Sequence, residues 1–373
     1  MAELVISNVD KIYRPRRKKP VHAVKDLNLS VNSGEIVALL GSSGCGKTST
    51  LRMIAGFEDV SNGSITLDGK AIHTLPPSKR GVAMAFEAYS LYPPLTIGDN
   101  IAFALKSSSL PTVEQQTRVK AMAEMLDIGG ILNRYPSSVS GGQQQRASLG
   151  RALVRDAGLY LLDEPMGQLE PQLRAILRGR IKAYLRQHNC TTILVTHDQT
   201  EANALADRIA VMEGGILQQY ATPADLKARP ANLFTGTFVG EPPMNVFPAE
   251  VTATTKSVAF RIGERTSLTY PRSDFSSEVV QALSSIKKLA IGIRPYALHV
   301  GKGPIAGQVV ACQWLGDQTH VAIEVEGRTV VSVAHERIKE KPGSSLALEV
   351  SASDLHLFDA ENGNAIAHGG QLA

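Results

Sequence analysis

Two textures of hydrophobic patterning divide the chain. Up to about residue 220, short apolar runs alternate with stretches whose apolar residues recur at helical spacing. Ile36-Val37-Ala38-Leu39-Leu40, Val82-Ala83-Met84-Ala85-Phe86, Leu159-Tyr160-Leu161-Leu162 and Thr192-Ile193-Leu194-Val195-Thr196 read as buried strands, since a strand covered on both faces needs no polar alternation. Thr48–Ala55 reads as a helix closed by Gly56, and Leu173, Leu177, Ile181, Tyr184 and Leu185 mark one face of another. Thr112-Val113-Glu114-Gln115 fits a capping box, opening a helix with Val119, Met122, Ala123 and Leu126 on one side. Residues 95–155 thus look mostly helical, an insertion into an α/β core whose alternating strands and helices predict a parallel sheet. Residues 3–9 and 21–31 read as two further strands, with Tyr13 ending the first, and the stretch from Gly63 to Asp68-Gly69 carries a hairpin signal.

The second texture begins near residue 235. Short alternating strands dominate there: Val258–Ile262, Leu289–Ile293, Val321–Val325 and Leu346–Val350, punctuated by glycine and proline. This predicts a small all-β barrel domain. The expected division is an α/β domain over residues 1–235 and a β-barrel domain over residues 236–373.

Composition sharpens this picture only in places. The chain has 373 residues, 43% hydrophobic and 20% charged, enough to fill two or three cores. A net charge of +4 gives no ground for a nucleic-acid partner. The one dense basic run, Arg14-Pro15-Arg16-Arg17-Lys18-Lys19, reads as a solvated loop. Cys45, Cys190 and Cys312 are odd in number and far apart, so they form neither a metal pattern nor a disulfide framework, which fits a reducing compartment. The N-terminus carries an acid early and lacks the apolar region of a signal peptide. No apolar run is long enough to span a bilayer, so the expectation is a soluble chain, or one held at a membrane by a partner.

The chemistry centres on Gly41-Ser42-Ser43-Gly44-Cys45-Gly46-Lys47-Thr48, which joins a predicted strand to a predicted helix. Two glycines five positions apart, followed by Lys and Thr, fit the phosphate-loop pattern. The glycines let backbone N–H groups turn inward, and the helix N-terminus adds positive potential. Lys47 would reach the β- and γ-phosphates and Thr48 would hold Mg²⁺. Asp163 and Glu164 follow four apolar residues and precede Pro165. That places Asp163 to hold a metal and Glu164 to polarise an attacking water, with His197 at the next strand end to meet the γ-phosphate or orient that water. A second anion site lies at Ser140-Gly141-Gly142-Gln143, where a capping serine and two glycines leave helix N–H groups bare. With one phosphate loop per chain, this second site most simply serves a nucleotide held by another subunit.

Taken together, Gly41–Thr48, Ser140–Gln143, Leu159–Pro165 and His197 resemble the ATP-binding-cassette ATPases. The stretches Tyr89-Ser90-Leu91-Tyr92-Pro93, Thr196–Ala202, Phe238-Val239-Gly240, Met244-Asn245 and Gly292-Ile293-Arg294-Pro295 resemble the maltose-transporter type, over essentially the whole chain. The resemblance implies a P-loop ATPase fold with a helical insertion and a C-terminal barrel of the oligonucleotide/oligosaccharide-binding type, used in dimer contacts and regulation. It implies that Tyr13 stacks on adenine and that Gly41, Ser42, Ser43, Gly44, Cys45, Gly46, Lys47, Thr48 and Ser49 bind the phosphates of ATP. It places Ser140, Gly141, Gly142 and Gln143 on the γ-phosphate of the opposite subunit's nucleotide. Thr48, Glu87 and Asp163 serve Mg²⁺, Glu164 the water, and His197 the γ-phosphate. The implied partners are a second ATPase subunit, identical or different, two transmembrane permease subunits docked on Glu87–Pro94, and an external solute-binding protein reached through them. The chain would sit on the cytoplasmic face of the membrane and energise uptake of a sugar or related polyol or glycerol phosphate. Two positions depart from the family pattern: Glu87 stands where Gln is usual and Glu170 where Asp is usual. They leave open a weakly active or regulatory subunit of a heterodimeric pair. Cys45, inside the phosphate loop, is expected to let a bulky thiol reagent block hydrolysis, with ATP protecting.

Overall fold

The computed structural model describes residues 2–16, 19–86 and 88–372. Part of the basic loop (Arg17, Lys18) and Glu87, expected to touch metal and water, lie outside the described residues. The chain divides into two compact units, Met1–Pro223 and Ala224–Ala373.

The first unit holds strands β1 (Leu4–Tyr13), β2 (Val21–Val31), β3 (Ile36–Gly41), β4 (Asn62–Leu67), β5 (Lys70–Ala71), β6 (Val82–Ala85), β7 (Leu159–Asp163), β8 (Thr192–Val195), β9 (Arg208–Glu213) and β10 (Ile216–Ala221). Its helices are α1 (Lys47–Ala55), α2 (Ile97–Phe103), α3 (Thr112–Met125), α4 (Gly141–Leu153), α5 (Pro171–Gln187) and α6 (Gln199–Leu205). The central sheet runs β10-β9-β3-β8-β7-β6. All its pairings are parallel except β10 with β9 at one edge. Every residue of β3, β7 and β8 is buried, as their unbroken apolar runs require. A second, antiparallel sheet, β2-β1-β4-β5, gathers the flanking strands. Its Leu4, Ile6, Val9 and Leu27 share one core with Val37 and Leu39 of β3, Leu161 of β7, and Leu51 and Ile54 of α1. Each such fully buried side chain contributes about 1.5–3 kcal/mol, so α1 is fixed against β3. The helices α2, α3 and α4 form the insertion. At α3 the expected capping box is absent: Pro111 takes the cap position with no side-chain cap bond, and Thr112 is already inside the helix. Glu114 instead pairs with Arg118 at 3.2 Å, one turn on.

The second unit is antiparallel throughout. Its strands are β11 (Asn245–Ala253), β12 (Ser257–Arg261), β13 (Ser267–Pro271), β14 (Lys288–Ile293), β15 (His299–Gly301), β16 (Ile305–Trp314), β17 (Thr319–Val325), β18 (Arg328–Ala334), β19 (Ser345–Glu349), β20 (Leu355–Asp359) and β21 (Ala365–His368). They form two sheets, β13-β12-β11-β14-β20-β21 and β15-β19-β16-β17-β18. Both sheets bury residues in one core, including Phe247, Phe260 and Ile291 from the first and Val321, Ile323 and Leu348 from the second. The four strands legible in the sequence fall on β12, β14, β17 and β19. A short helix, Ser277–Ser284, escaped the pattern reading; Ser276 caps it, and Val279 and Leu283 seat it on the core. Arg294, in the Gly-Ile-Arg-Pro stretch, is buried and donates to the carbonyls of Gly236 (2.8 Å), Lys227 (3.0 Å) and Val239. Burial lowers its pKa to about 10.

Candidate active site

Between the end of β3 at Gly41 and the start of α1 at Lys47, the chain makes the expected loop. Gly46 sits at φ 106°, and a Cβ there would lie 2.5 Å from the Ala23 carbonyl oxygen, so only glycine fits. The Lys47 ammonium folds back over the loop, donating to the carbonyl oxygens of Gly41 (2.8 Å) and Ser42 (2.9 Å). The Ser42 hydroxyl is turned away, donating to Glu213. The Tyr13 hydroxyl meets Ser49 at 3.1 Å, and the Lys11 ammonium lies 4.8 Å from the Tyr13 ring centre.

Cys45 differs from its expected availability. Its thiol is 2% exposed, and a Cβ on Gly41 would come within 2.6 Å of its sulfur. Burial pushes its pKa up, although Lys47, 3.6 Å away, pulls the other way. The thiolate is the reactive form, so a raised pKa leaves little of it at neutral pH. Modification of Cys45 is therefore expected to be slow at pH 7 and to accelerate about tenfold per pH unit as the thiol titrates. Mass spectrometry of the labelled phosphate-loop peptide checks this; fast, pH-independent labelling would contradict it.

The acidic end of β7 lies opposite. Asp163 is buried. Glu164 adopts a left-handed backbone, φ 47°, which costs a non-glycine residue about 1 kcal/mol or more. Three hydrogen bonds hold it there: its N–H donates to Val195 O (2.9 Å), and its carbonyl accepts from Gln145 Nε2 (2.8 Å) and the Gly167 N–H (3.3 Å). The result aims the carboxylate at His197, whose Nδ1 lies 2.9 Å from Oε1. The imidazole is mostly exposed while the carboxylate is mostly covered. Below them on α6, burial raises Glu201 to about 7, helped by the charges of Asp198 and Glu164.

A cavity of about 450 Å³ joins the two halves, lined by Ser43, Gly44, Lys47 and Thr48 on one side and Glu164 and His197 on the other. Gln145, Gly167 and Gln168 complete its wall. Sequence reading missed these three, because what places them is contact across the fold. Gln145 donates to the Glu164 carbonyl and accepts from the Gln168 N–H at 3.0 Å. Its position one turn past Gly141 is the only signal the sequence offered.

Ser140 caps α4 as expected. Its hydroxyl accepts from the Gln143 N–H (3.3 Å), while Gln143 Oε1 accepts from the Ser140 N–H (3.0 Å). A Cβ on Gly142 would approach the Gln168 carbonyl at 3.1 Å. Ser140, Gly141, Gly142 and Gln143 are exposed or half-exposed and are not in the wall of the cavity. Farther along α4, Arg151 donates to the carbonyls of Ser90 (2.7 Å) and Tyr89 (3.1 Å), pinning the segment after Glu87.

The donor set suits a hard cation. The Thr48 hydroxyl and Asp163 carboxylate are oxygen ligands of the kind Mg²⁺ takes together with phosphate oxygens and water. Among the described residues no group of three His, Cys, Asp or Glu side chains gathers to hold a metal by itself.

Comparison with known proteins identifies the family. The ABC transporter family profile matches residues 24–167, and the TOBE domain profile matches residues 291–358. The trehalose import ATP-binding protein SugC of Mycobacterium tuberculosis is 43% identical over 295 residues, 79% of this chain and 72% of that protein. The sn-glycerol-3-phosphate import ATP-binding protein UgpC of Cereibacter sphaeroides is 37% identical over 376 residues, 97% of this chain and 99% of that one. The dimeric structure of the ATP-binding cassette MJ0796, in a post-hydrolysis state bound to ADP and phosphate, matches with a TM-score of 0.55 at 25% identity, covering 59% of this chain and 98% of that one.

Proposed function

Because this chain belongs to the ABC transporter family of ATP-binding subunits, we propose that it hydrolyses Mg²⁺-ATP between Lys47 and Glu164 to drive uptake of a sugar or related solute. The observation that carries the reading is the Glu164–His197 pair, 2.9 Å apart, facing the phosphate loop across one cavity. Lys47 exchanges its two carbonyl partners for β- and γ-phosphate oxygens. Thr48 and Asp163 would hold Mg²⁺, which when bound offsets phosphate charge. Glu164 takes a hydrogen bond from the attacking water, and His197, steadied through Nδ1, orients the γ-phosphate side of the site. Tyr13, near Ser49 at the start of α1, is offered as the adenine platform.

The site is completed by a second ATPase subunit, identical or different. The N-terminus of α4 supports this: Ser140–Gln143 are exposed or half-exposed and lie outside the wall of their own chain's cavity, and the capping box leaves the N–H groups of Gly141 and Gly142 for another partner. A weakly active role in a heterodimeric pair is the second reading, and it draws on Glu170. That residue stands at the N-cap of α5 without a side-chain cap bond, where the shorter Asp caps well.

The segment through Pro94 is the proposed docking surface for two permease subunits. Exposed aromatics flank it, with Tyr92 packed on Phe103 at 4.6 Å and Phe57 on Phe86 at 5.5 Å. No described helix is long and apolar enough to cross a membrane. The proposed location is therefore peripheral, on the cytoplasmic face, with the external solute-binding protein reached only through the permeases. Relatives named for trehalose and for glycerol phosphate support a sugar or polyol derivative as the solute. The second unit is offered as a regulatory and dimer-contact domain.

Reconstitution with the permease pair in proteoliposomes tests the reading. Uptake of a sugar, polyol or glycerol phosphate should require ATP on the side facing this chain. ATP turnover indifferent to permeases and to every such solute would overturn it.

A further inference from the structure

The turn that carries His197 is closed by a ring of hydrogen bonds. The Thr196 hydroxyl donates to Glu201 Oε2 (2.8 Å) and accepts from the Asp198 N–H (3.1 Å). Asp198 Oδ1 accepts from the Glu201 N–H (2.9 Å). His197 lies between Thr196 and Asp198, so this ring sets the backbone that aims the imidazole. The other oxygen of Asp198 leaves the ring and accepts from Arg174 Nη1 of α5 at 3.0 Å. The second arm of Arg174, Nη2, donates to the carbonyls of Gly167 and Leu169, each at 3.2 Å. Between them sits Gln168, tied through Gln145 to the Glu164 carbonyl and to α4. The contacts run unbroken from the imidazole turn to the helix that starts at Ser140.

We infer that Arg174 is a positioning residue: through Asp198 it locks the turn of His197 to the loop Gly167–Leu169, so that the γ-phosphate-facing and partner-facing groups hold one arrangement. The inference rests on the ATPase reading. Arginine suits the task because its planar fork serves a carboxylate with one arm and backbone carbonyls with the other, which a lysine cannot do. Magnitude separates this role from that of a strut. Arg174 and Asp198 are 26% and 23% exposed, a partly covered pair that solvent still screens, so its contribution to stability is modest. Its loss should therefore appear in turnover more than in melting. Although burial opposes it, the N–H groups of Glu201 and Thr200 and the Arg174 charge keep the Asp198 carboxyl below its usual range, so the pair stays ionised at neutral pH.

The experiment measures turnover at saturating ATP, ATP affinity and melting temperature in the assembled transporter for Arg174→Ala and Asp198→Asn, each alone and combined with His197→Ala. Asparagine still caps α6, so Asp198→Asn removes the charge pair and keeps the helix, and it carries the test if Arg174→Ala does not fold. Expected is a fall in kcat of about tenfold or more from misplacement of a catalytic group, with ATP affinity and melting nearly unchanged. Combination with His197→Ala should add no further loss, because the effect passes through that imidazole. Losses that multiply with His197→Ala, or an unchanged kcat in Asp198→Asn, would overturn the inference. Absence of ATP turnover in the assembled wild-type transporter would instead refute the ATPase reading on which the inference rests, leaving the two failures distinguishable.

Discussion

Replacing Glu164 with glutamine is expected to lower ATP turnover by a factor of about 10²–10⁴, the usual worth of a positioned general base, while ATP still binds. The substitution preserves nearly everything else. Glutamine has the same reach, and its amide oxygen can still accept from His197 Nδ1. The left-handed backbone is held by the N–H bond to Val195 and by Gln145 and Gly167 on the carbonyl, none of which involves the carboxylate. The phosphate loop and its lysine lie on the opposite wall and keep their own bonds. What is lost is the negative charge facing the cavity. Single-turnover kinetics beside equilibrium ATP binding checks this; binding that disappears together with turnover would mean that the residue supports the pocket rather than the chemistry.

The candidate site was largely legible because it sits where two kinds of pattern meet. Apolar runs name the ends of β3, β7 and β8, and the residues that close or follow them, Gly41, Asp163 and His197, fall at the same end of these parallel strands. What stayed hidden is what the fold assembles from afar. The sheet β2-β1-β4-β5 pairs Leu4 with both Val31 and Leu67, a pairing no local window contains. Gln145 and Arg174 look like ordinary polar positions on helices, yet each bridges loops about twenty residues away in sequence. Cys45 reads as a reactive thiol in the loop, but its sulfur is tucked under Gly41. The helix Ser277–Ser284 is too short for its period to stand out. At Pro111, a fixed φ took the cap position that the Thr112 pattern advertised.

The second large effect is expected from Ser140→Arg. The change removes the α4 cap, costing about 1 kcal/mol of helix stability, and sets a guanidinium before the first N–H groups of α4, at Gly141 and Gly142. In a two-subunit site these groups touch the γ-phosphate of the other subunit's ATP. Hydrogen bonds to a charged group are worth about 1.5–3 kcal/mol, so turnover should fall by about 10–100-fold. The cavity proposed for the chain's own ATP is lined by Lys47 and Thr48 instead, so the affinity for that ATP should not change.

The most direct measurement is therefore the ATP affinity of the isolated Ser140→Arg chain set beside the turnover of the transporter assembled from it. The account predicts wild-type affinity in the first and severely impaired turnover in the second. Loss of ATP affinity in the isolated chain, or undiminished turnover in the assembly, would contradict a site shared between two subunits.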